Sequence, residues 1–207
     1  MSKIENIRNA LRFGMLLFRL QDRLGRAGIR IEPYYWMQEG VTECNPPVLE
    51  GRPDDYSLSF FGNEEMKTIG SILPQYPEHN LLARLKKGQK CFGLKYKDEI
   101  AAFMWFEFDR CSDQGIDIIL NNQEAYLWDM FSLKQFRGKN IAPYLRYHSY
   151  QVLKSIGKYT FYSASDYFNA PSIRYKKKLN AKCIWLGLNV TLFSNYHRHW
   201  ILKKYNH

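Results

Sequence analysis

The sequence predicts a mixed α/β fold in one globular unit, and three observations lead there. Apolar positions recur with period 2 in some segments and with the 3.6 period of a helix in others, and the two kinds alternate along the chain. The 207 residues are 45% hydrophobic and 16% aromatic, which is ample for a core. No repeat or low-complexity tract interrupts them.

Taken in order, Ser2-Lys3-Ile4-Glu5 has the spacing of a capping box and predicts a helix to about Leu24, ended by Gly25. Ile7, Leu11, Leu17, Phe18 and Leu24 fall on its apolar side. Arg8, Arg12, Arg19, Arg23 and Arg26 lie within about 60° of one another on the far side, which makes an amphipathic helix with an arginine stripe. Strands are expected over 28–37 and 56–61, with the proline-rich 45–55 interval as a loop. Short helices over 63–73 and 79–87 follow, then a hairpin of 91–96 and 100–108 turning at Lys97-Asp98-Glu99. A longer strand over 124–133 precedes a helix over 141–156 that stops at Gly157. A strand over 159–165, a helix over 170–179 and a final pair of strands over 182–191 and 200–205 complete the order.

The net charge of +10 is lopsided. Residues 130–207 hold fourteen Lys and Arg against one acid, Asp166, whereas residues 1–129 hold sixteen against nineteen acids. A basic half of this kind attracts a polyanion: a phosphorylated cofactor, a nucleic acid or an acidic membrane surface. The longest apolar run near the start, 13–18, closes at Arg19, too short to span a bilayer and without a small-residue cleavage site. A soluble, unprocessed, cytoplasmic protein is expected. Cys44, Cys91, Cys111 and Cys183 are scattered with no C-x-x-C pair, so reduced thiols are expected and no metal.

The chemistry concentrates in residues 131–145, FSLKQFRGKNIAPYL. A strand that leaves through a glycine-containing turn into a helix points successive backbone N–H groups into one concavity, and the first helical turn adds unpaired donors. Gly138 can take positive φ and lets a phosphate approach the main chain. Arg137 and Lys139 supply counter-charge, and Pro143 fits the first helical turn.

Strand, then Gln135-Phe136-Arg137-Gly138-Lys139-Asn140, then helix resembles the Q/R-x-x-G-x-G/A acyl-CoA signature of the GNAT N-acetyltransferase superfamily. Asn140 stands at the second glycine position, and asparagine tolerates positive φ better than other non-glycine residues. Downstream, Asn169-Ala170-Pro171-Ser172-Ile173-Arg174 and Lys178-Leu179-Asn180-Ala181 are similar to the second GNAT signature, again with an asparagine, Asn180, where glycine is usual. The resemblance covers roughly residues 56–205. It implies a mostly antiparallel central sheet flanked by helices over 51–207, with residues 1–50 as a helical extension packed on that core.

The resemblance also implies direct attack of a primary amine on the thioester of acetyl-CoA. Phe131, Leu133, Gln135, Arg137, Gly138, Lys139, Asn140, Ile141, Ala142 and Asn169 then hold the cofactor, with main-chain N–H groups near 131–133 receiving the oxyanion. The amine needs a base. Glu124, fourteen residues before Gly138 as in histone-type members, is the first choice. Asp129, a carboxylate inside an apolar strand, is the second. The family's usual tyrosine acid falls on Lys176, and Tyr175 on a helix points about 100° away from that position. Members with N-x-x-S-I-R look as though they use the serine for this role, which the resemblance carries over to Ser172.

The acceptor expected is a small-molecule amine, an amino sugar or related metabolite, with no nucleic acid involved. The alternatives are an acyltransferase that reaches lipid-linked or polysaccharide precursors by peripheral membrane contact through the arginine stripe, and a non-enzymatic basic nucleic-acid binder.

Overall fold

A computed structural model describes residues 23–25, 27–40, 42–113, 115–193 and 196–206. The expected N-terminal helix lies outside them except for its last turn at 23–25, which is helical. The strands are β1 (Ile29–Glu39), β2 (Tyr56–Phe61), β3 (Lys90–Tyr96), β4 (Glu99–Glu107), β5 (Arg110–Asp113), β6 (Ile116–Ile119), β7 (Glu124–Ser132), β8 (Thr160–Asp166), β9 (Lys182–Leu192) and β10 (Tyr196–Lys204). The helices are α1 (Asn63–Ile72), α2 (Glu78–Lys86), α3 (Ile141–Ser155) and α4 (Ala170–Lys178).

Eight strands form one sheet in the order β10-β9-β1-β8-β7-β4-β3-β2, antiparallel throughout except for β7 and β8. β4 sits deep in it: Ile100 to Phe106 are all buried, the continuous apolar run that a strand covered on both faces requires. At Gly93 on the neighbouring β3, an added Cβ would stand 2.0 Å from the Phe61 ring, so only glycine lets that ring cross the strand.

The pleat separates two faces. On one, α3 packs Tyr150 against Phe161 and Arg146 against Glu39. On the other, the α1–α2 segment lays Tyr76 on Phe103, and Trp36 stacks on Trp185, Tyr126 and Tyr162 at 5.3, 5.4 and 5.7 Å. The β5–β6 hairpin covers this aromatic group with Cys111 and Ile116. Large side chains buried in this way contribute roughly 1.5–3 kcal/mol each.

Two features go beyond the sequence reading. β1 is an interior strand, paired with β8 on one edge and β9 on the other, so the N-terminal extension is part of the sheet itself. The β5–β6 hairpin was not expected; its strands are four residues each, too short for alternation to stand out. β10 also starts at Tyr196, earlier than the expected Trp200.

β7 and β8 pair only from Glu124 to Tyr126 with Thr160 to Tyr162, and then diverge. β7 is bulged against β4 there: Phe103 faces Phe131 and Trp105 faces Trp128, leaving Asp129 and Met130 opposite the single residue Met104. Asp129 takes φ 46°, a bulge conformation. The gap between the parting strands is the position from which the site is built.

Candidate active site

A cavity of about 440 Å³ fills the gap. β7 supplies Leu127 to Ser132, β8 supplies Ala164 to Asp166, and α4 supplies Ser172, Tyr175 and Lys176. A second cavity of about 410 Å³ lies at the start of α3 and shares Ser132, Arg137, Ala142, Pro171 and Tyr175 with the first. Together they make one groove that runs from a helix N-terminus to the bulge.

The loop at its outer end has the conformation the sequence anticipates. Gly138 has φ 86° and Asn140 φ 57°. A Cβ at Gly138 would meet nothing within 4 Å, so the glycine is required by its backbone angle and not by crowding. Asn140 caps α3 without a side-chain bond to the helix, so its side chain does not take up the unpaired N–H groups of the first turn. Arg137 is positioned by its Nε–H, which donates to the Ser132 carbonyl at 3.0 Å, and by the Phe131 ring 5.5 Å away.

Phe131, Arg137, Gly138, Asn140, Ile141, Ala142 and Asn169 all line the groove. Leu133, Gln135 and Lys139 are not among its lining residues. Leu133 is buried and spends its N–H on the Ala101 carbonyl at 2.9 Å. Gln135 donates to Glu99 at 2.8 Å, and Lys139 lies against the Phe136 ring. Asn169 also caps α4, its Oδ1 accepting from the Ser172 N–H at 3.1 Å.

The two expected carboxylates are separated. Asp129 lines the cavity, accepts the Tyr76 hydroxyl at 2.7 Å and is ion-paired with Arg84, whose guanidinium lies 4.5 Å from the Trp128 ring. Burial, with Asp129 adding to it, pushes the Tyr76 hydroxyl well above the ordinary tyrosine range. Glu124 lies at the closed end, where β7 and β8 still pair, and is not among the residues lining the cavity. It accepts the Asn121 N–H at 2.9 Å and the Tyr162 hydroxyl at 3.1 Å.

On α4, Ser172, Tyr175 and Lys176 stand at i, i+3 and i+4, which is one face of a helix. That spacing was the signal the sequence reading passed over. The 100° offset of Tyr175 leaves it on the same stripe, lining both cavities, with its hydroxyl donating to Met130 Sδ at 3.2 Å on the bulge. Burial raises its pKa, which keeps it a proton donor at neutral pH.

Behind the cavity wall lies a buried charge cluster that sequence reasoning did not find. Glu39 of β1 is fully buried and accepts from both Nε and Nη2 of Arg146 at 2.7 Å, and from the hydroxyls of Tyr150 and Ser163. Burial works to raise the Glu39 pKa, but Arg146 and then Lys176 override it and hold the carboxyl well below the usual range. No local pattern announces such a cluster, because its members come from four elements distant in sequence.

No family model matches the sequence, and no curated protein matches it. Solved structures do. The chain is similar to a protein named as a GNAT-family acetyltransferase from Novosphingobium aromaticivorans, at 16% identity over 80% of this chain and 66% of that one, with a TM-score of 0.53. A GNAT-family acetyltransferase from Colwellia psychrerythraea matches at 14% identity over 80% and 57%, with a TM-score of 0.58. A Drosophila protein matches at 13% identity over 87% and 58%, also at 0.58. The chain thus spans less than two thirds of each of these structures, and at such identities the likeness is one of fold.

Proposed function

We propose, on the GNAT fold that the chain shares with these structures, that it transfers the acetyl group of acetyl-CoA to a primary amine. The observation that carries this reading is the continuous groove from the positive-φ loop at α3 to the bulge of β7. A phosphate-bearing ligand fits its outer end, where Gly138, Arg137 and the α3 N–H groups converge, and an extended thioester arm fits between β7 and β8.

The chemistry follows from what the groove presents at its inner end. The amine loses a proton and its nitrogen attacks the thioester carbon. The carbonyl oxygen takes up negative charge against main-chain N–H groups of the bulged stretch of β7, preorganised donors of the kind that stabilise an oxyanion. The C–S bond then breaks, and the sulfur takes a proton from a donor on α4, either Ser172 or Tyr175. Of the two expected carboxylates Asp129 is the one that lines the cavity, where Asp166 accepts the Phe168 N–H at 2.7 Å, and we assign Asp129 the base role ahead of Glu124. The acceptor is a small-molecule amine, with amino sugars and related metabolites the first to be tried.

Isothermal calorimetry with acetyl-CoA tests the reading directly, with a panel of amines assayed by free-thiol release. Binding that is lost in Gly138→Asp supports it. No binding to the folded wild type removes it.

A further inference from the structure

The charge cluster extends to the cavity through an unbroken line of hydrogen bonds. Lys176 is buried, with its Nζ 3.6 Å from Glu39 Oε1. It donates to Ser163 Oγ at 2.8 Å, the Ala164 carbonyl at 3.0 Å and Ser165 Oγ at 2.7 Å. Ser165 Oγ lies 3.2 Å from Ser172 Oγ. Ser165, Ser172 and Lys176 all line the cavity.

The charge balance makes this line unusual. Arg146 already matches the charge of Glu39 in a bidentate pair further held by two hydroxyls, and Lys176 adds a second cation 3.6 Å from the same carboxylate. A second buried cation is not needed for that purpose and costs desolvation. Its place at the cavity wall is accounted for if negative charge develops there.

We propose that Lys176, acting through Ser165 and Ser172, supplies the proton taken up by the departing CoA thiolate. The proposal rests on the acetyl-transfer reading. As the C–S bond breaks, the sulfur takes the Ser172 hydroxyl proton, Ser172 takes that of Ser165, and Ser165 takes one from the Lys176 ammonium. Lys176 is left neutral and takes a proton back from solvent, while the proton of the attacking amine leaves through Asp129, so protons balance over the cycle.

The groups facing Lys176 suit it to this exchange: Glu39 from β1, Arg146 from α3, Ser163, Ala164 and Ser165 from β8 and Cys183 from β9, with Tyr150 and Tyr175 set against Arg146 in turn. Burial, with Arg146 adding and Glu39 opposing, brings the Lys176 ammonium down to about 7. A donor that releases its proton near neutral pH is matched to a thiolate acceptor.

The test uses CoA alone, so it does not depend on knowing the acceptor. The thiol of bound CoA is titrated by thiolate absorbance in the wild type and in Ser165→Ala, Ser172→Ala, Lys176→Met and Tyr175→Phe. In the wild type the bound thiol should ionise at lower pH than free CoA. Ser165→Ala and Ser172→Ala should keep CoA affinity but reduce the thiolate fraction at a given pH by on the order of tenfold, the effect of a one-unit change in pKa. Lys176→Met should act in the same direction; if it does not fold, Ser165→Ala still decides the matter, because it breaks the line and leaves every charge in place. Wild-type titration in both serine variants overturns the proposal, as does a shift seen with Tyr175→Phe alone. Failure of the folded wild type to bind CoA overturns the acetyl-transfer reading, and the relay with it.

Discussion

Asn140 and Asn180 grip the same loop from two different helix ends. Each adopts positive φ, 57° and 59°, and each donates its side-chain amide to a loop carbonyl: Asn140 to Val48 at 3.1 Å and Asn180 to Glu43 at 2.9 Å. Both stand where the resembled signatures carry glycine. Asparagine meets the backbone requirement that glycine would meet and adds a tether that glycine cannot. The segment running from the end of β1 is thereby fixed across the start of α3 and the end of α4.

Replacing either asparagine by glycine should therefore keep the fold and free the loop. Each lost hydrogen bond should cost about 1 kcal/mol, and the 43–48 amides should exchange faster with solvent. Asn140→Leu should cost more, because a branched residue at positive φ adds roughly 1–2 kcal/mol of strain. Urea unfolding and hydrogen exchange on the three variants check this; an Asn140→Gly protein with undiminished loop protection would show that the tether does nothing.

Gly138 separates two effects that a single substitution would mix. Gly138→Ala adds a Cβ in open space, so its cost is the positive φ, roughly 1–2 kcal/mol, with a modest loss of CoA affinity. Gly138→Asp adds a negative charge at the expected phosphate position and should remove binding altogether. Calorimetry on both variants, with melting temperatures for each, distinguishes backbone strain from charge.

The part of this molecule legible in the sequence was the part governed by local rules. The backbone of the loop at 135–142 could be read because a glycine and an asparagine just before a helix start are adjacent residues that tolerate positive φ. The helices and the longer strands could be read from their periods, to within a few residues at most ends. Glu39, Arg146 and Lys176 could not. Glu39 lies two residues past the expected end of its strand, and only the insertion of β1 between β8 and β9 brings it beneath α3 and α4. The separation of Glu124 from Asp129 was hidden for a related reason: it depends on where two strands stop pairing, a property of the sheet and not of either strand.

That cluster should dominate the pH dependence of stability. Glu39 has a folded pKa below its ordinary one, so its contribution is fully present above the carboxylate range and is lost as pH falls through the folded value. Lys176 has a folded pKa of about 7 against an ordinary 10.5, so between those values the unfolded chain binds more protons and stability rises with pH. Urea midpoints measured across pH should show that alkaline rise in the wild type and not in Lys176→Met. Glu39→Gln should cost about 3–5 kcal/mol at neutral pH, because two buried cations then face no carboxylate. It should also lose the acid-side slope. A Glu39→Gln protein as stable as wild type would mean that the cluster is not buried in solution.

The base assignment is decided by Asp129 and Glu124 in parallel. Asp129 lines the cavity, but Tyr76 and Arg84 both engage its carboxylate, and Arg84 is in turn stacked on Trp128. Asp129→Asn should therefore do two things. It should lower stability by about 1–3 kcal/mol, since Arg84 loses its charge partner, and it should lower turnover by roughly a hundredfold or more if the carboxylate takes the amine proton. The second effect can be told from the first by its pH dependence: the deficit should shrink as pH rises, because a growing share of the amine is then already neutral. A purely structural loss would not follow the amine's titration. Glu124→Gln removes a carboxylate whose partners, Asn121 and Tyr162, lie at the closed end of the strands, and it should leave turnover within a few-fold of wild type. The reverse pattern, an active Asp129→Asn and a Glu124→Gln that loses turnover while still binding CoA, would transfer the base role to Glu124. It would also place the amine on the α1–α2 face of the sheet beside Tyr162, because a base must lie within hydrogen-bond reach of the proton it removes.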